Sequence, residues 1–404
     1  MSMIVLAGML SASISAADGE GTVWDGTVAD GYAGGTGSPN DPFIIENAAQ
    51  LAFLAAKVNS GESYYGVYFR LANDIVMNDT SDWKRWKNTA PANAWTPIGG
   101  DNENICAFAG IFDGDGHIVI GLYIKSDLDF LGLFGRNEGT VKNLGVEKSY
   151  LIGGTRVGSI AGGNYGTISN CYNAGIVSGE DMVGGISGFS YYGVSFFNGC
   201  YNVGGISGTR EVGGIIGYSA SVITNCYNIG NISGNENVGG IAGSSDGDLI
   251  ENSYNAGKIS KGDTAALLAG NAYKTSGCYF LDAADGKTDE KGTALTDEQM
   301  KDKASYEGWD FDSVWEIAAD KNGGYPTLRG MAVAEYENDA NPGDANGDGT
   351  VNGKDASALA KYLAGWQSDA DLCAADTNGD GTVNGKDLAL LMKHLAGWEV
   401  DFAG

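Results

Sequence analysis

Oxygen-bearing side chains recur at one spacing, twice, toward the C-terminal end of this chain. Asp344-Ala-Asn-Gly-Asp-Gly-Thr-Val-Asn-Gly-Lys-Asp355 is followed 32 positions later by Asp376-Thr-Asn-Gly-Asp-Gly-Thr-Val-Asn-Gly-Lys-Asp387. Oxygens fall at loop positions 1, 3, 5, 9 and 12, with glycine at 6. Ca²⁺ takes six to eight hard oxygens from a loop that turns sharply, and this spacing supplies them. Asp344, Asn346, Asp348, Asn352 and Asp355 offer side-chain oxygens, and Thr350 offers its backbone carbonyl. Asp376, Asn378, Asp380, Thr382, Asn384 and Asp387 repeat the set. Gly349 permits the turn because it has no Cβ. Solvated acidic Asn-Gly turns would look similar singly, but two full matches in tandem point to two bound Ca²⁺ ions.

Each loop runs into a short apolar segment ending Leu-Ala-Gly-Trp, at Trp366 and Trp398. An EF-hand would carry Glu at position 12 and a helix before the loop. Here position 12 is Asp, and Asn341-Pro-Gly precedes the first loop. With that departure, residues 344–398 resemble a type I dockerin, the module that plugs a secreted protein into a cohesin on a cellulosome-type scaffoldin. The resemblance implies a small α-helical calcium-binding module. It also implies a cohesin-recognition surface at loop positions 10 and 11, Gly353-Lys354 and Gly385-Lys386, with Lys361 and Lys393 in corresponding places. Clostridial dockerins usually carry Ser-Thr there, so a non-clostridial cohesin is the expected partner.

Other chemistry is sparse. The six cysteines (106, 171, 200, 226, 278 and 373) form no CxxC pair, which argues against zinc. The two histidines are His117, in the Asp113-Gly-Asp115-Gly turn, and His394. Asp113 and Asp115 are the best carboxylate pair for glycoside chemistry, although Asp-Gly-Asp-Gly is ordinary turn composition. A column of tyrosines, Tyr172, Tyr201, Tyr227 and Tyr254, with Tyr279 after it, is the more suggestive feature. Outward rings in a row could stack on sugar faces, or pack beneath a loop.

The elements that must position these residues are written in repeats. Gly121-Leu-Tyr-Ile, Asn143-Leu-Gly-Val, Asn170-Cys-Tyr-Asn, Gly199-Cys-Tyr-Asn, Asn225-Cys-Tyr-Asn, Asn252-Ser-Tyr-Asn and Gly277-Cys-Tyr-Phe recur at intervals of 22, 27, 29, 26, 27 and 25. Between them stands a second word: Gly132-Leu-Phe-Gly, Ser159-Ile-Ala-Gly, Gly185-Ile-Ser-Gly, Gly214-Ile-Ile-Gly and Gly240-Ile-Ala-Gly. A unit of this length without a helical period cannot bury its apolar residues alone, but stacked copies can. The expected fold is all-β, a parallel β-helix with the Leu/Cys column inward and the tyrosines outward. The Asn columns (143, 170, 225, 252 and 173, 202, 228, 255) should form rung-to-rung amide ladders. These words resemble the GLUG repeats of secreted and surface proteins of bacteria, and the resemblance extends over roughly residues 20–330. Phe108-Ala-Gly-Ile-Phe-Asp-Gly-Asp-Gly-His117 resembles their first-coil signature.

Asn47 and Gln50 make a capping-box pattern before Leu51, Leu54 and Val58, so a helix should cover the N-terminal end of the solenoid. Ser305-Tyr-Glu-Gly-Trp-Asp-Phe311 and Asn322-Gly-Gly-Tyr-Pro-Thr-Leu328 should close the other end. The expected organisation is a signal peptide at 1–17, a cap and first coil at 18–117 and coils at 118–280. A C-terminal cap at 281–330, a linker at 331–343 and the dockerin at 344–398 complete it. Met3–Ile14 is too short to span a bilayer, and no other segment reads as transmembrane.

Acids outnumber bases 51 to 24, a net charge of −27, which repels nucleic acid and anionic membranes. Glycine is abundant at 65 against 6 prolines, as tight turns in a β-rich fold require. The expectation is a secreted, scaffold-anchored protein whose solenoid binds polysaccharide or a cell surface. Its rivals are a polysaccharide lyase or glycoside hydrolase on the same solenoid, and a spacer with no ligand.

Overall fold

The computed structural model describes residues 22–404 apart from 101–105, 192, 194, 246–248, 261–264, 271–273, 283–290, 335–341, 347–349, 367–369, 371, 379–382, 399, 401 and 403–404. The expected signal peptide and most of the expected linker lie outside these residues.

Short strands stack in parallel, each residue against its counterpart one repeat later. Tyr172, Tyr201, Tyr227, Tyr254 and Tyr279 occupy successive rungs of one column. Val157, Val183, Val212 and Val238 occupy another. Three parallel sheets result, wrapped around an apolar lumen. Columns of Ile, Val and Leu fill that lumen together with Cys171, Cys200, Cys226 and Cys278, all buried and free of disulfides. Burial in this apolar column pushes the Cys171 and Cys226 thiols well up, so they stay protonated and act as small apolar side chains.

The words in the sequence are the corners of the coil. Asn143, Asn170, Asn225 and Asn252 have φ of 54°, 51°, 54° and 48°, and Gly199 and Gly277 at the same corner have 65° and 58°. Asn and Gly alternate there because they are the residues that enter the left-handed region most readily. The inner Asn ladder is continuous. Asn173 Nδ2 donates to Asn202 Oδ1 at 2.7 Å, Asn202 to Asn228 at 2.7 Å, and Asn228 to Asn255 at 2.8 Å. The outer ladder is partial: Asn170 donates to Asn143, but Asn225 donates to Asn198 because Gly199 has no side-chain oxygen to accept.

The fourth residue of the second word is glycine because another part of the coil crosses it. A Cβ on Gly217 would lie 2.4 Å from the backbone at Met182 and Val183, and one on Gly188 would lie 2.4 Å from that at Arg156 and Val157. Gly217→Ala should therefore push the corner away from the sheet and destabilise the solenoid by about 1–3 kcal/mol or more. A melting temperature equal to that of the parent would disprove this steric account.

Helix Ala48–Asn59 forms as expected, and Asn47 accepts from Gln50 N–H. Gln50 answers one residue early, through Glu46 N–H rather than the Asn47 amide. Leu51, Leu54 and Val58 join the lumen core.

The C-terminal segment departs from expectation. Tyr306, Trp309, Phe311, Trp315 and Leu328 pack on the flank of the solenoid, against the outward tyrosine column, in a core separate from the lumen. The parity assignment of the tyrosines is right, but their exposure is not. Tyr172, Tyr201, Tyr227 and Tyr254 are 4%, 0%, 1% and 0% exposed. A row of adjacent phenyl rings is too much apolar surface to leave in water, and the tail covers it.

The C-terminal module has helices Gly353–Leu363, Leu372–Ala375 and Gly385–Leu395 around Leu359, Leu391, Ala345 and Ala375. Leu395 and Tyr362 pack against this core, whereas Leu363 is exposed.

Candidate functional site

Each calcium-spaced loop delivers its last residue to the start of a helix. Asn352 and Asp355 form a reciprocal capping box, as do Asn384 and Asp387. Asp355 accepts from Asn346 N–H at 3.0 Å and Asn352 N–H at 2.7 Å. Asp387 accepts from Asn378 N–H at 3.2 Å and Asn384 N–H at 2.8 Å. One carboxylate thus ties together both ends of its loop, and the two loops do so alike.

Asp344, Asp355, Asp376 and Asp387 are buried. Among the described residues, neither Asp355 nor Asp387 joins an ion pair. Buried carboxylates without a cation are costly, and the donor set of hard oxygens fits Ca²⁺. Backbone bonding leaves lone pairs on these oxygens. The Thr350 carbonyl accepts from Asn352 Nδ2 at 2.8 Å and keeps a second lone pair. Asp348, Asp380 and Thr382, as well as Gly349, lie outside the described residues. Among those described, no cluster of three His, Cys, Asp or Glu comes together.

The six residues expected to meet a cohesin, Gly353, Lys354, Lys361, Gly385, Lys386 and Lys393, are all exposed. Beyond each helix, Gly365 and Gly397 take φ of 72° and 78°. They turn Trp366 and Trp398 back so that their N–H groups bond Lys361 and Lys393 carbonyls. Both indoles are left exposed, at 69% and 63%. The Leu-Ala-Gly-Trp endings carried this signal.

Asp113 and Asp115 sit in a turn braced by ion pairs. Asp113 receives Lys142 at 2.9 Å and Asn143 Nδ2 at 2.9 Å, and Asp115 lies 3.9 Å from Arg70. Burial pushes the Asp113 carboxyl up, but hydrogen bonds from Asn143, Lys142 and the Asp115 N–H outweigh it and hold it below the usual range. A general acid needs the opposite shift. His117 Nδ1 lies 2.9 Å from Asp74 Oδ1, a pairing that the sequence, with the two residues 43 positions apart, did not reveal.

The tyrosine site becomes a packing site. Tyr172, Tyr201, Tyr227 and Tyr254 stack with centroids 4.7, 4.8 and 5.1 Å apart and planes within 3°. Two of their hydroxyls hold the tail: Tyr201 donates to Ala332 O at 2.7 Å and Tyr254 to Pro326 O at 2.7 Å.

Known proteins share pieces of this chain. The family profile of the type I dockerin domain matches residues 342–396, and that of the GLUG motif matches residues 234–260. "Halomucin" of Haloquadratum walsbyi is 30% identical over 187 residues, which is 44% of this chain and 2% of that protein. The "Putative Gly-rich membrane protein" of Evansella cellulosilytica is 34% identical over 145 residues, 34% of this chain and 15% of that protein. The chain thus spans a small part of these relatives. The crystal structure of a "putative immunoglobulin A1 protease from Bacteroides ovatus" aligns with a TM-score of 0.58 at 22% identity, over 74% of this chain and 95% of that one. At that identity the likeness is one of fold. No helix among the described residues is long and apolar enough to cross a membrane. Residues 342–396 are a type I dockerin domain, of a calcium-binding family whose partner is a cohesin, and the parallel β-solenoid before them carries the GLUG motif.

Proposed function

We propose that this protein is an exported component of a cellulosome-type assembly devoted to polysaccharide catabolism. Its dockerin anchors it to a scaffoldin cohesin with two Ca²⁺ ions bound, one per loop. Its solenoid is the passenger that meets polysaccharide or a cell surface. The observation that carries the docking part is the internal repetition: each loop feeds a helix that presents Gly-Lys in its first turn and lysine seven positions on, all exposed. Ca²⁺ would link the loop oxygens and fix the direction in which each helix leaves. Lysines on a chain of net charge −27 suit an acidic patch on the partner.

Two equivalent faces imply two binding orientations. Lys354→Ala with Lys361→Ala should remove one face and leave the other. The association constant then falls about twofold, or RT ln 2, about 0.4 kcal/mol. The same changes at Lys386 and Lys393 should behave alike, and the quadruple variant should lose about a hundredfold or more. Titration calorimetry against a cohesin panel reads this directly. Loss of binding in one single-repeat variant would show one working face.

A further inference from the structure

An aromatic and arginine surface on the opposite parity of the second sheet accounts for no packing described so far. The residue after each second word falls in one outward column: Arg136, Gly163, Phe189, Tyr218 and Ser244. Around it, Phe130, Tyr165 and Tyr191 add rings. The Arg136 guanidinium lies 4.6 Å from the Tyr165 centroid and 5.2 Å from that of Phe130. The Arg156 guanidinium lies 4.8 Å from Phe130 and 5.5 Å from Phe189. Tyr191, 55% exposed, stacks on Tyr165 at 5.7 Å. The order is therefore ring, ring, cation, ring, cation, ring.

The backbone is shaped to hold this row. Phe130 and Arg156 have φ of 60° and 61°, a conformation costly for bulky residues. A Cβ on Gly163 would lie 2.8 Å from the Phe130 ring, so glycine at that column position lets the ring lie down.

The donors of the row are underused. The Arg136 side chain is only 17% exposed, its one ion pair reaches Glu138 at 4.0 Å, and its Nε donates to no acceptor among the described residues. Arg156 Nε likewise has no acceptor there, although its Nη1 meets Asp129 at 2.8 Å. Cation–π contact offsets part of the lost hydration, but guanidinium N–H groups call for oxygen acceptors. Glu138 and Asp129 offer acceptors beside these donors.

We propose that this row binds a neutral, hydroxyl-rich polysaccharide chain. Tyr191, at the exposed end of the row, offers its outer face to the C–H face of a sugar. Hydroxyls can take a hydrogen bond from Arg136 and give one to Glu138 or Asp129, which no single-sign ligand can do. The flanking carboxylates and the net charge of −27 disfavour a polyuronate. This rests on the reading of the solenoid as the ligand-bearing passenger, and it moves the contact surface from the tyrosine column to this row.

The test uses the full chain with Ca²⁺. Titration calorimetry with a soluble mixed-linkage glucan, neutral xylan and polygalacturonate compares the parent with Tyr191→Ala, Tyr165→Ala/Tyr191→Ala and Arg136→Lys. Binding of a neutral glycan by the parent, about tenfold or more weaker in the double tyrosine variant at unchanged melting temperature, is the expected result. Arg136→Lys keeps the charge but not the planar donor fork, so it should also bind more weakly. Should the double variant melt early, Tyr191→Ala alone decides, since its ring is exposed. Neutral-glycan binding unaltered in Tyr191→Ala and Arg136→Lys would overturn the site while leaving the passenger reading intact. Binding of polygalacturonate alone would overturn the ligand class. No binding to any of the three would overturn both this site and the polysaccharide reading of the passenger.

Discussion

Replacing Tyr227 and Tyr254 together by alanine is expected to release the C-terminal tail from the solenoid. Both rings are almost wholly buried, stacked on each other at 5.1 Å and in contact with Trp315. Truncating a buried aromatic costs about 3–5 kcal/mol. Tyr254 also donates to Pro326 O and accepts from Asn322 Nδ2, so its loss removes two hydrogen bonds and leaves only the 3.2 Å bond between Asn322 Nδ2 and Pro326 O. Tyr254→Phe isolates that second part and should cost about 1–3 kcal/mol. Hydrogen exchange of residues 306–332 reads tail release directly, because it separates local opening from collapse of the coils. Protection in the tail equal to that of the parent would show that the rings do not hold it. Alkaline pH should act in the same direction. Burial pushes the Tyr201, Tyr227 and Tyr254 phenols up. The unfolded chain loses those protons near pH 10 and the folded chain does not. Stability is therefore complete below about pH 10 and falls as pH rises beyond it.

Repetition made most of this fold legible. The Asn/Gly corner, the inward Cys column and the amide ladder each follow from a residue type recurring at one place in the coil. What repetition could not tell was which outward column meets water. Tyr172 and Tyr201 alternate with the lumen residues Cys171 and Cys200, and alternation fixes the face of a strand, not its cover. That cover comes from Tyr306, Trp309 and Trp315, which stand outside the repeat and carry no register with it. The same blindness hid the row at Arg136 and Phe189, where ring and guanidinium alternate between rungs so that no single word recurs. It hid the Asp74–His117 pair as well, because those residues meet only through stacking. The dockerin loops are the opposite case. The oxygens that would hold Ca²⁺ lie within twelve consecutive residues, and the chemistry those donors offer is readable from their spacing.

Removing Ca²⁺ should unfold the dockerin while leaving the solenoid intact. The module's core is small: Leu359 and Leu391 are its only fully buried leucines among the described residues. Against it stand two sets of clustered carboxylates. Asp344 and Asp355 close one loop, Asp376 and Asp387 the other, and all four are buried. Without a cation their repulsion and desolvation oppose folding. With free Ca²⁺ at a hundred times the dissociation constant, each site contributes about 2.7 kcal/mol, so two contribute about 5 kcal/mol. That is a large share of what so small a domain can have. Chelator should therefore abolish the helical circular dichroism of residues 353–363 and 385–395 and the binding of cohesin together, and Ca²⁺ should restore both. The lumen core owes nothing to the metal, so the thermal transition of the solenoid should not move. Asp348→Ala and Asp380→Ala should each lower the calorimetric stoichiometry from two ions to one. Asp355→Ala should do more damage than Asp348→Ala even in saturating Ca²⁺, because Asp355 also caps its helix through Asn352 N–H. Helix content unchanged in chelator would show that the leucine core suffices and that the loops are not structural metal sites.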